Sequence, residues 1–539
     1  MSESLRDQWD GKRVTVMGLG LHGGGLAVAT WFLRHGACVT VTDLKTRKQL
    51  RPSVAALERV ARERGSGTLA FVLGVHRVRD FRDTDLIIQN PGVPRESKFL
   101  AIARAANVLI ENEASLFFKM VRGGAARPSE APEERRRRGG AVRIVAVTGT
   151  RGKSTTTALI HAMLRQAGHS AFLAGNIRIP MFDVIDRVIA ASKRGPVDVV
   201  LELSSWHCER LSRTTGSADI AVLTNLYPDH LNRYPSMRSY AAAKARLVRF
   251  QNPRAIVVAN AEQPIVRAMA ACSPGEVRWY AARAPRRTWS GFTTRDGDCV
   301  RTRHGRATVI TPRALLHLPG AHNTMNLLAA AAAATACGVQ PLDIRRALRT
   351  FRGLPGRLEV IARRRGVTYV NDTCATSPDG AIAALAAIGQ QSNAAVRSLP
   401  LFQRGSGRGC VGSDASFRSS RGVKEERGWG IILIAGGTDK CLEFDAWAQE
   451  VARSVKAIVF LPGTATEKMK RALRPFMIHD SSFITRDAPS MRSAVRTARQ
   501  MARPGDTVLL SPGAASFGLF QHEFDRGEQF AREVRHLRL

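Results

Sequence analysis

Apolar residues in this chain gather in short runs. Each run stops at a glycine, an asparagine or an acid, and stretches of helical spacing follow. Val14–Met17 is such a run, closed by Gly18-Leu19-Gly20-Leu21-His22-Gly23, and helical periodicity continues to about His35. Cys38–Thr42 comes next and ends at Asp43, and Leu86–Gln89 ends in Asn90-Pro91-Gly92-Val93-Pro94. The same rhythm returns at Val142–Val147, Asp198–Val200 and Val222–Leu223, then at Thr368–Asn371, Gly430–Ala435, Ala457–Leu461 and Thr507–Leu510. Short runs alternating with helices predict parallel strands joined by crossover helices, an α/β fold. Two stretches break the rhythm. Residues 122–141 are rich in Gly, Glu and Arg, and residues 390–428 are rich in Gly, Ser and Arg. Neither has apolar periodicity, so both read as disordered. The first is a linker and the second an insertion within the last of three blocks, 1–121, 142–345 and 346–539; 539 residues are too many for one core.

Two of the strand ends carry glycine turns suited to anions. The first has the G-x-G-x-x-G spacing, with Asp43 about 20 residues on, a pattern shared with dinucleotide sites. The second, Thr148-Gly149-Thr150-Arg151-Gly152-Lys153-Ser154-Thr155, runs from a strand into a helix that starts near Ser154. Such a turn aims backbone N–H groups and a helix N-terminus at one point. Lys153 supplies a cation for terminal phosphates and Ser154 a hydroxyl for Mg²⁺. The match to the phosphate-loop pattern is partial, because Val147 stands where the first glycine is expected. Glu202 ends a strand behind this loop, where a metal needs an oxygen ligand. His230 and Lys244 follow in sequence; alone, each reads as structural.

Composition narrows the class. Eight cysteines without a Cys-x-x-Cys pair argue against a zinc site or a disulfide framework. The Ala-rich stretch Asn326–Cys337 is too short to span a bilayer, and residues 1–13 do not read as a signal peptide, so a cytoplasmic protein is expected. The net charge of +36 raises nucleic-acid binding as a reading. Basic residues are spread throughout and aromatics are only 6%, which favours a general attraction for polyanionic substrates instead.

Taken in order, the motifs resemble the Mur ligases. They are Thr148–Thr155, Glu202-Leu-Ser-Ser, Asp229-His230, Tyr240-x-x-x-Lys244, Gly320-Ala-His-Asn-Thr-Met-Asn326, Asn371-Asp-Thr-Cys-Ala-Thr376, Gly436-Gly-Thr-Asp-Lys440 and Ser511-Pro-Gly-Ala-Ala-Ser516-Phe517. The resemblance spans all three blocks and is strongest to members that join D-glutamate to UDP-N-acetylmuramoyl-L-alanine. It implies three α/β domains: a Rossmann-like UDP-binding domain, a central ATPase-type domain and a C-terminal Rossmann-like domain. It further implies an ATP- and Mg²⁺-dependent amide ligase of peptidoglycan precursor synthesis, expected as a monomer. Carried onto this chain, it gives Lys153, Glu202, His230 and Lys244 the catalytic roles. ATP would lie on Gly149, Thr150, Arg151, Gly152, Lys153, Ser154 and Thr155, with Asn323, Asn326, Arg357 and Asp372 completing its site. Mg²⁺ would be held by Ser154 and Glu202, and a second ion by His230 and a carbamylated Lys244. Gly20, Leu21, His22, Asp43, Gly92 and Asn176 would face the UDP-linked substrate. Thr376, Lys440, Ser516 and Phe517 would receive the glutamate; Thr376 and Ser516 read equally well as helix caps.

The chain departs from the family pattern at several points. Arg151 replaces an asparagine or histidine between the loop glycines, Asn232 an aspartate, and Cys374 a lysine. Leu44-Lys45 replaces Thr-Arg, and Glu523 sits where an aromatic is common. These changes keep the phosphate chemistry but leave the added amino acid and its stereochemistry open. L-glutamate addition, a folylpolyglutamate-type ligase, a nucleic-acid-binding protein on a dead ligase fold, and a dehydrogenase resting on the first glycine turn alone are the competing readings.

Overall fold

The computed structural model describes residues 8–20, 23–63, 67–122, 142–231, 233–286, 288–397, 430–479 and 483–537. They form three sheets in two compact units: residues 1–316 with 324–351, and residues 317–323 with 352–539.

The first unit contains two sheets. Strands β1 (Arg13–Met17), β2 (Cys38–Asp43), β3 (Leu69–Leu73), β4 (Leu86–Gln89) and β5 (Leu109–Glu111) form a parallel sheet in the order β3-β2-β1-β4-β5. The order reverses between β1 and β4, so the loops after Met17 and Gln89 lie side by side at the strands' carboxyl ends, where open α/β sheets bind ligands. The sequence reading missed β3 and β5. Each is an edge strand with more than half of its residues partly or fully exposed, so burial writes no strong pattern into it.

The central sheet has nine strands: β6 (Val142–Thr148), β7 (Ser170–Gly175), β8 (Val197–Glu202), β9 (Ile220–Leu223), β10 (Ile256–Asn260), β11 (Glu276–Tyr280), β12 (Gly291–Arg295), β13 (Asp298–Arg303) and β14 (Arg306–Pro312). Their order is β14-β13-β12-β11-β10-β9-β6-β8-β7. Strands β6, β8 and β9 are wholly buried but for Val142, the near-continuous apolar signature of a parallel sheet covered on both faces. The antiparallel extension β12–β14 was not read from the sequence. Its turns are Asp296-Gly297 and His304-Gly305, with φ of 50° and 82°, then 47° and 80°. Positive φ at both central residues is the two-residue hairpin geometry that Asp-Gly favours, and that dipeptide was the available signal.

The second unit holds β15 (Glu359–Arg364), β16 (Val367–Asn371), β17 (Ile431–Ala435), β18 (Val455–Phe460), β19 (Ile484–Asp487) and β20 (Thr507–Leu510), ordered β15-β16-β20-β17-β18-β19. All pairings but β15–β16 are parallel. Apolar clusters cover both faces, one built on Leu433 and Trp447, the other on Ile432 and Phe530. The helix Pro378–Arg397 passes Gln390, where the sequence reading began an insertion. Alanines favour helix over that stretch. The rest of the insertion and the segment 123–141 lie outside the described residues. Among the described residues, no helix is long and apolar enough to cross a membrane.

Candidate active site

The phosphate loop joins β6 to the helix Lys153–Gln166. Gly149 and Gly152 have φ of 150° and 77°. A Cβ on Gly149 would lie 1.9 Å from Thr224 Oγ1, and one on Gly152 2.2 Å from Asn326 Oδ1, so glycine is required at both positions. The loop is held from β9 outward. Thr150 N–H donates to the Asn225 carbonyl (2.9 Å), Arg151 N–H to Asn225 Oδ1 (2.8 Å), and Thr224 Oγ1 donates to the Arg151 carbonyl (2.8 Å). Lys153 Nζ donates to the Thr150 carbonyl (2.9 Å), which bends the side chain back over the loop. Ser154 and Thr155 are buried in the first helical turn. Asn326 reaches the loop from the helix Ala321–Ala336, accepting from Thr156 Oγ1 at 3.4 Å.

Glu202 ends β8, beside β6. Its Oε1 accepts from Asn176 Nδ2 (3.0 Å); its Oε2 is buried with no hydrogen-bond partner. A buried carboxylate oxygen left unsatisfied is costly unless a cation completes it. An orphaned carboxylate oxygen of this kind suits a cation. Lys244 lies on the helix Met237–Arg249 and is 1% exposed. Its Nζ donates to the Gly149 carbonyl (2.8 Å) and to Thr148 Oγ1 (3.4 Å). Burial, with the charge of Lys153 adding to it, pushes the Lys244 amine down to about 7. A neutral amine is the form that reacts with carbon dioxide to give a carbamate. His230 stands in a left-handed turn (φ 55°), its ring 5.3 Å from that of Trp206 and 6.1 Å from that of Tyr240. Among the described residues, no group of three His, Cys, Asp or Glu could hold a metal by itself. The candidate ligands here include the Ser154 hydroxyl and the Lys244 side chain.

The first glycine turn is organised by Asp43. Its Oδ2 accepts from the N–H groups of Leu19 (2.9 Å) and Gly20 (3.3 Å), and its Oδ1 from Lys45 N–H (2.9 Å). Asp43 thus shapes the turn from within. Asn90 Nδ2 donates to the Gly18 carbonyl (2.5 Å) and joins this turn to the Gly92 loop. Leu21 and His22 lie outside the described residues.

In the second unit three loops meet at the carboxyl ends of neighbouring strands. Gly513 N–H donates to the Ala375 carbonyl (2.9 Å), while Thr438 and Ala515 exchange backbone bonds of 2.9 and 3.1 Å. These contacts gather the loops bearing Thr376, Lys440 and Ser516. Phe517 is largely exposed, and its carbonyl accepts from Thr438 Oγ1. The helix after this loop, Glu523–Arg535, is capped by His522, so Ser516 is not its N-cap. Asp372 lies on the adjoining loop, and burial pushes its carboxyl up to about 7 against the bonds from Ser511 Oγ (3.0 Å) and Leu358 N–H (3.2 Å). Arg357 and Asn323 belong to the same unit. Arg526 was missed by sequence reasoning. It is fully buried and donates to Thr373 Oγ1 (3.1 Å) and to the carbonyls of Thr373 (2.9 Å) and Ala514 (3.1 Å), pinning two of the three loops. An isolated arginine inside a polar helix gives no sequence signal for this. Glu523 opens that helix, and its carbonyl accepts from Thr373 Oγ1.

Known proteins resemble this chain over nearly its whole length. Residues 12–111 match the Mur ligase MurD-like N-terminal domain, and residues 147–334 match the Mur ligase middle domain. A relative from Roseiflexus sp. (strain RS-1), named UDP-N-acetylmuramoylalanine–D-glutamate ligase, is 40% identical over 98% of this chain and 99% of its own length. A relative of the same name from Symbiobacterium thermophilum is 32% identical over 96% and 97%. The crystal structure of a UDP-N-acetylmuramate–alanine ligase from Thermotoga maritima shares the fold, with a TM-score of 0.55 at 16% identity over 97% of this chain and 99% of that one.

Family match and relatives define an ATP-dependent, ADP-forming ligase, built here on three α/β sheets. The chain belongs to the Mur ligase family.

Proposed function

We propose that this protein joins D-glutamate to UDP-N-acetylmuramoyl-L-alanine with ATP, in the cytoplasm, as a step of peptidoglycan precursor synthesis. The observation that carries the reading is an intact phosphate cradle with an orphaned Glu202 oxygen, in a chain that aligns end to end with D-glutamate ligases. ATP binds the loop Gly149–Thr155, with Lys153 at the terminal phosphates. Asn326, Asn323, Arg357 and Asp372 are assigned to the nucleotide, and the first sheet with Gly20, Asp43 and Gly92 to the UDP moiety. The three sheets are taken as three domains, 1–121, 142–345 and 346–539.

The L-alanyl carboxylate attacks the γ-phosphorus, the bond to the β-phosphate bridge breaks, and ADP leaves. The amine of glutamate then attacks the acyl carbon. The C–O bond breaks, and inorganic phosphate departs with that oxygen. Lys153 stabilises the charge that develops in both steps. Mg²⁺ neutralises phosphate charge when bound. Ser154 and Glu202 would hold one ion, and His230 with a carbamylated Lys244 a second. Asn176, bonded to Glu202, orients that carboxylate. Thr376, Lys440, Ser516 and Phe517 receive the glutamate, with Lys440 as the cation for one of its carboxylates.

The test is ADP release from ATP, Mg²⁺ and UDP-N-acetylmuramoyl-L-alanine with D-glutamate, L-glutamate and other amino acids in parallel. Release with D-glutamate, lost in Lys153→Ala, is expected. Release with L-glutamate alone would move the specificity and direct attention to Glu523. No release with any amino acid would refute the assignment.

A further inference from the structure

We propose that the side chain of Arg151 is a positioning residue that locks the His230 loop to the phosphate loop through Asp229. The inference rests on the proposed function only for its turnover readout. Arg151 Nη1 donates to Asp229 Oδ2 at 3.0 Å, in a pair whose side chains are 31% and 12% exposed. The same carboxylate bonds the His230 backbone and lies near its ring. Its Oδ1 accepts the His230 backbone N–H at 2.9 Å, and its Oδ2 lies 3.9 Å from His230 Nε2. On its far side the turn is closed by the His230 carbonyl, which accepts from Arg233 and Tyr234 N–H at 2.9 and 3.0 Å.

His230 holds a φ of 55°, a conformation that needs outside support in a residue with a Cβ. Asp229 supplies that support, and Arg151 fixes Asp229.

The simpler role, that Arg151 merely stabilises its own loop, is already filled by others. Its N–H and carbonyl are clamped by Asn225 Oδ1, Thr224 Oγ1 and Asn225 Nδ2 at 2.8, 2.8 and 3.1 Å. Those bonds need only the backbone of residue 151, so a shorter side chain would leave them in place. What the long guanidinium adds is the reach to Asp229, with a fixed donor geometry for a carboxylate. A change in the phosphate loop is thereby passed to His230 without passing through the sheet.

The test is a double-mutant cycle with Arg151→Gln, Asp229→Asn and both together, read by kcat, by the KM for ATP and by hydrogen exchange. Each single substitution is expected to lower kcat about tenfold, and the double no further, because the two residues act as one unit. The KM for ATP stays within about twofold, since the loop backbone is intact. Arg151→Lys restores part of the loss by keeping the charge. Exchange at the His230, Arg233 and Tyr234 amides quickens in Arg151→Gln and stays unchanged in strand β8. Additive losses, a raised KM for ATP at constant kcat, or unaltered exchange in the His230 turn would each overturn the proposal. A wild-type protein that releases no ADP would refute the proposed function alone, because the exchange comparison still decides the role of Arg151. Should Arg151→Gln fail to fold, Arg151→Ala takes its place in the cycle.

Discussion

Glu113 shows how one buried group sets a pH response. It opens the helix Glu113–Val121, and its Oε1 accepts Met181 N–H at 2.5 Å. Burial pushes its carboxyl up to about 7; the bonds from Met181 and Phe182 pull the other way, and Asp183 adds to the rise. His207 Nε2 lies 3.8 Å from its other oxygen and is pushed down to about 4 by burial, with the charge of Lys244 adding. The folded protein therefore holds a proton on Glu113 between the ordinary 4.5 and about 7, while the unfolded chain releases it. Stability falls as pH rises through that window. His207 acts oppositely between about 4 and its ordinary 6.5, since there the unfolded chain binds the extra proton. Glu113→Gln keeps the acceptor for Met181 and removes only the first effect. Unfolding free energies from urea denaturation at pH 5 and pH 8 should show the variant gaining on wild type at the higher pH, by on the order of 3 kcal/mol. Parallel pH curves for the two proteins would contradict the assignment.

Residues of the candidate site were legible where chemistry dictates a motif. Gly149, Gly152, Lys153 and Ser154 stand at a fixed spacing because a phosphate needs a glycine turn, a cation and a hydroxyl there. Residues acting through others were not legible. Glu113 and Arg526 sit in ordinary surroundings, and Arg151 and Asp229, though both marked in the sequence, are brought into contact only by the fold. Asp43 was legible as a position but not in its use, because its bonds to Leu19 and Gly20 depend on the folded turn.

At the scale of elements, the helix Glu113–Val121 depends on Asn112. The Asn112 side chain accepts Ser115 N–H at 2.8 Å, while Ser115 Oγ accepts Asn112 N–H at 2.9 Å, a reciprocal capping box. Its Nδ2 also donates to the carbonyls of Trp206 and His207 at 3.0 and 3.1 Å. Asn112→Ala should lower stability by about 2–3 kcal/mol, the loss of a cap plus buried bonds left unmade. Urea denaturation measures this, and a loss under about 0.5 kcal/mol would show that the box is idle. Parallel strands such as β6, β8 and β9 were legible because burial on both faces leaves unbroken apolar runs. Edge strands and the β12–β14 hairpins were not, since half-exposed strands write a weaker pattern and Asp296-Gly297 was passed over.

For the whole molecule, the net charge of +36 does not by itself mean nucleic-acid binding. Arginines are used throughout the interior and the loops: Arg143 is buried against Asp198, Arg526 pins two loops, and Arg151 reaches Asp229. The surplus also suits substrates bearing phosphates and carboxylates. Family and end-to-end alignment point to one reaction, in which a carboxylate is activated by ATP before an amine takes it. The most direct test follows an oxygen atom. UDP-N-acetylmuramoyl-L-alanine labelled with heavy oxygen in its carboxylate is incubated with the protein, ATP, Mg²⁺ and D-glutamate, and the released phosphate is analysed by mass spectrometry. A single labelled oxygen in each phosphate formed is predicted, because the acyl-phosphate bond passes that atom from carbon to phosphorus. Phosphate released without the label would contradict the account, since ATP would then have been split by water.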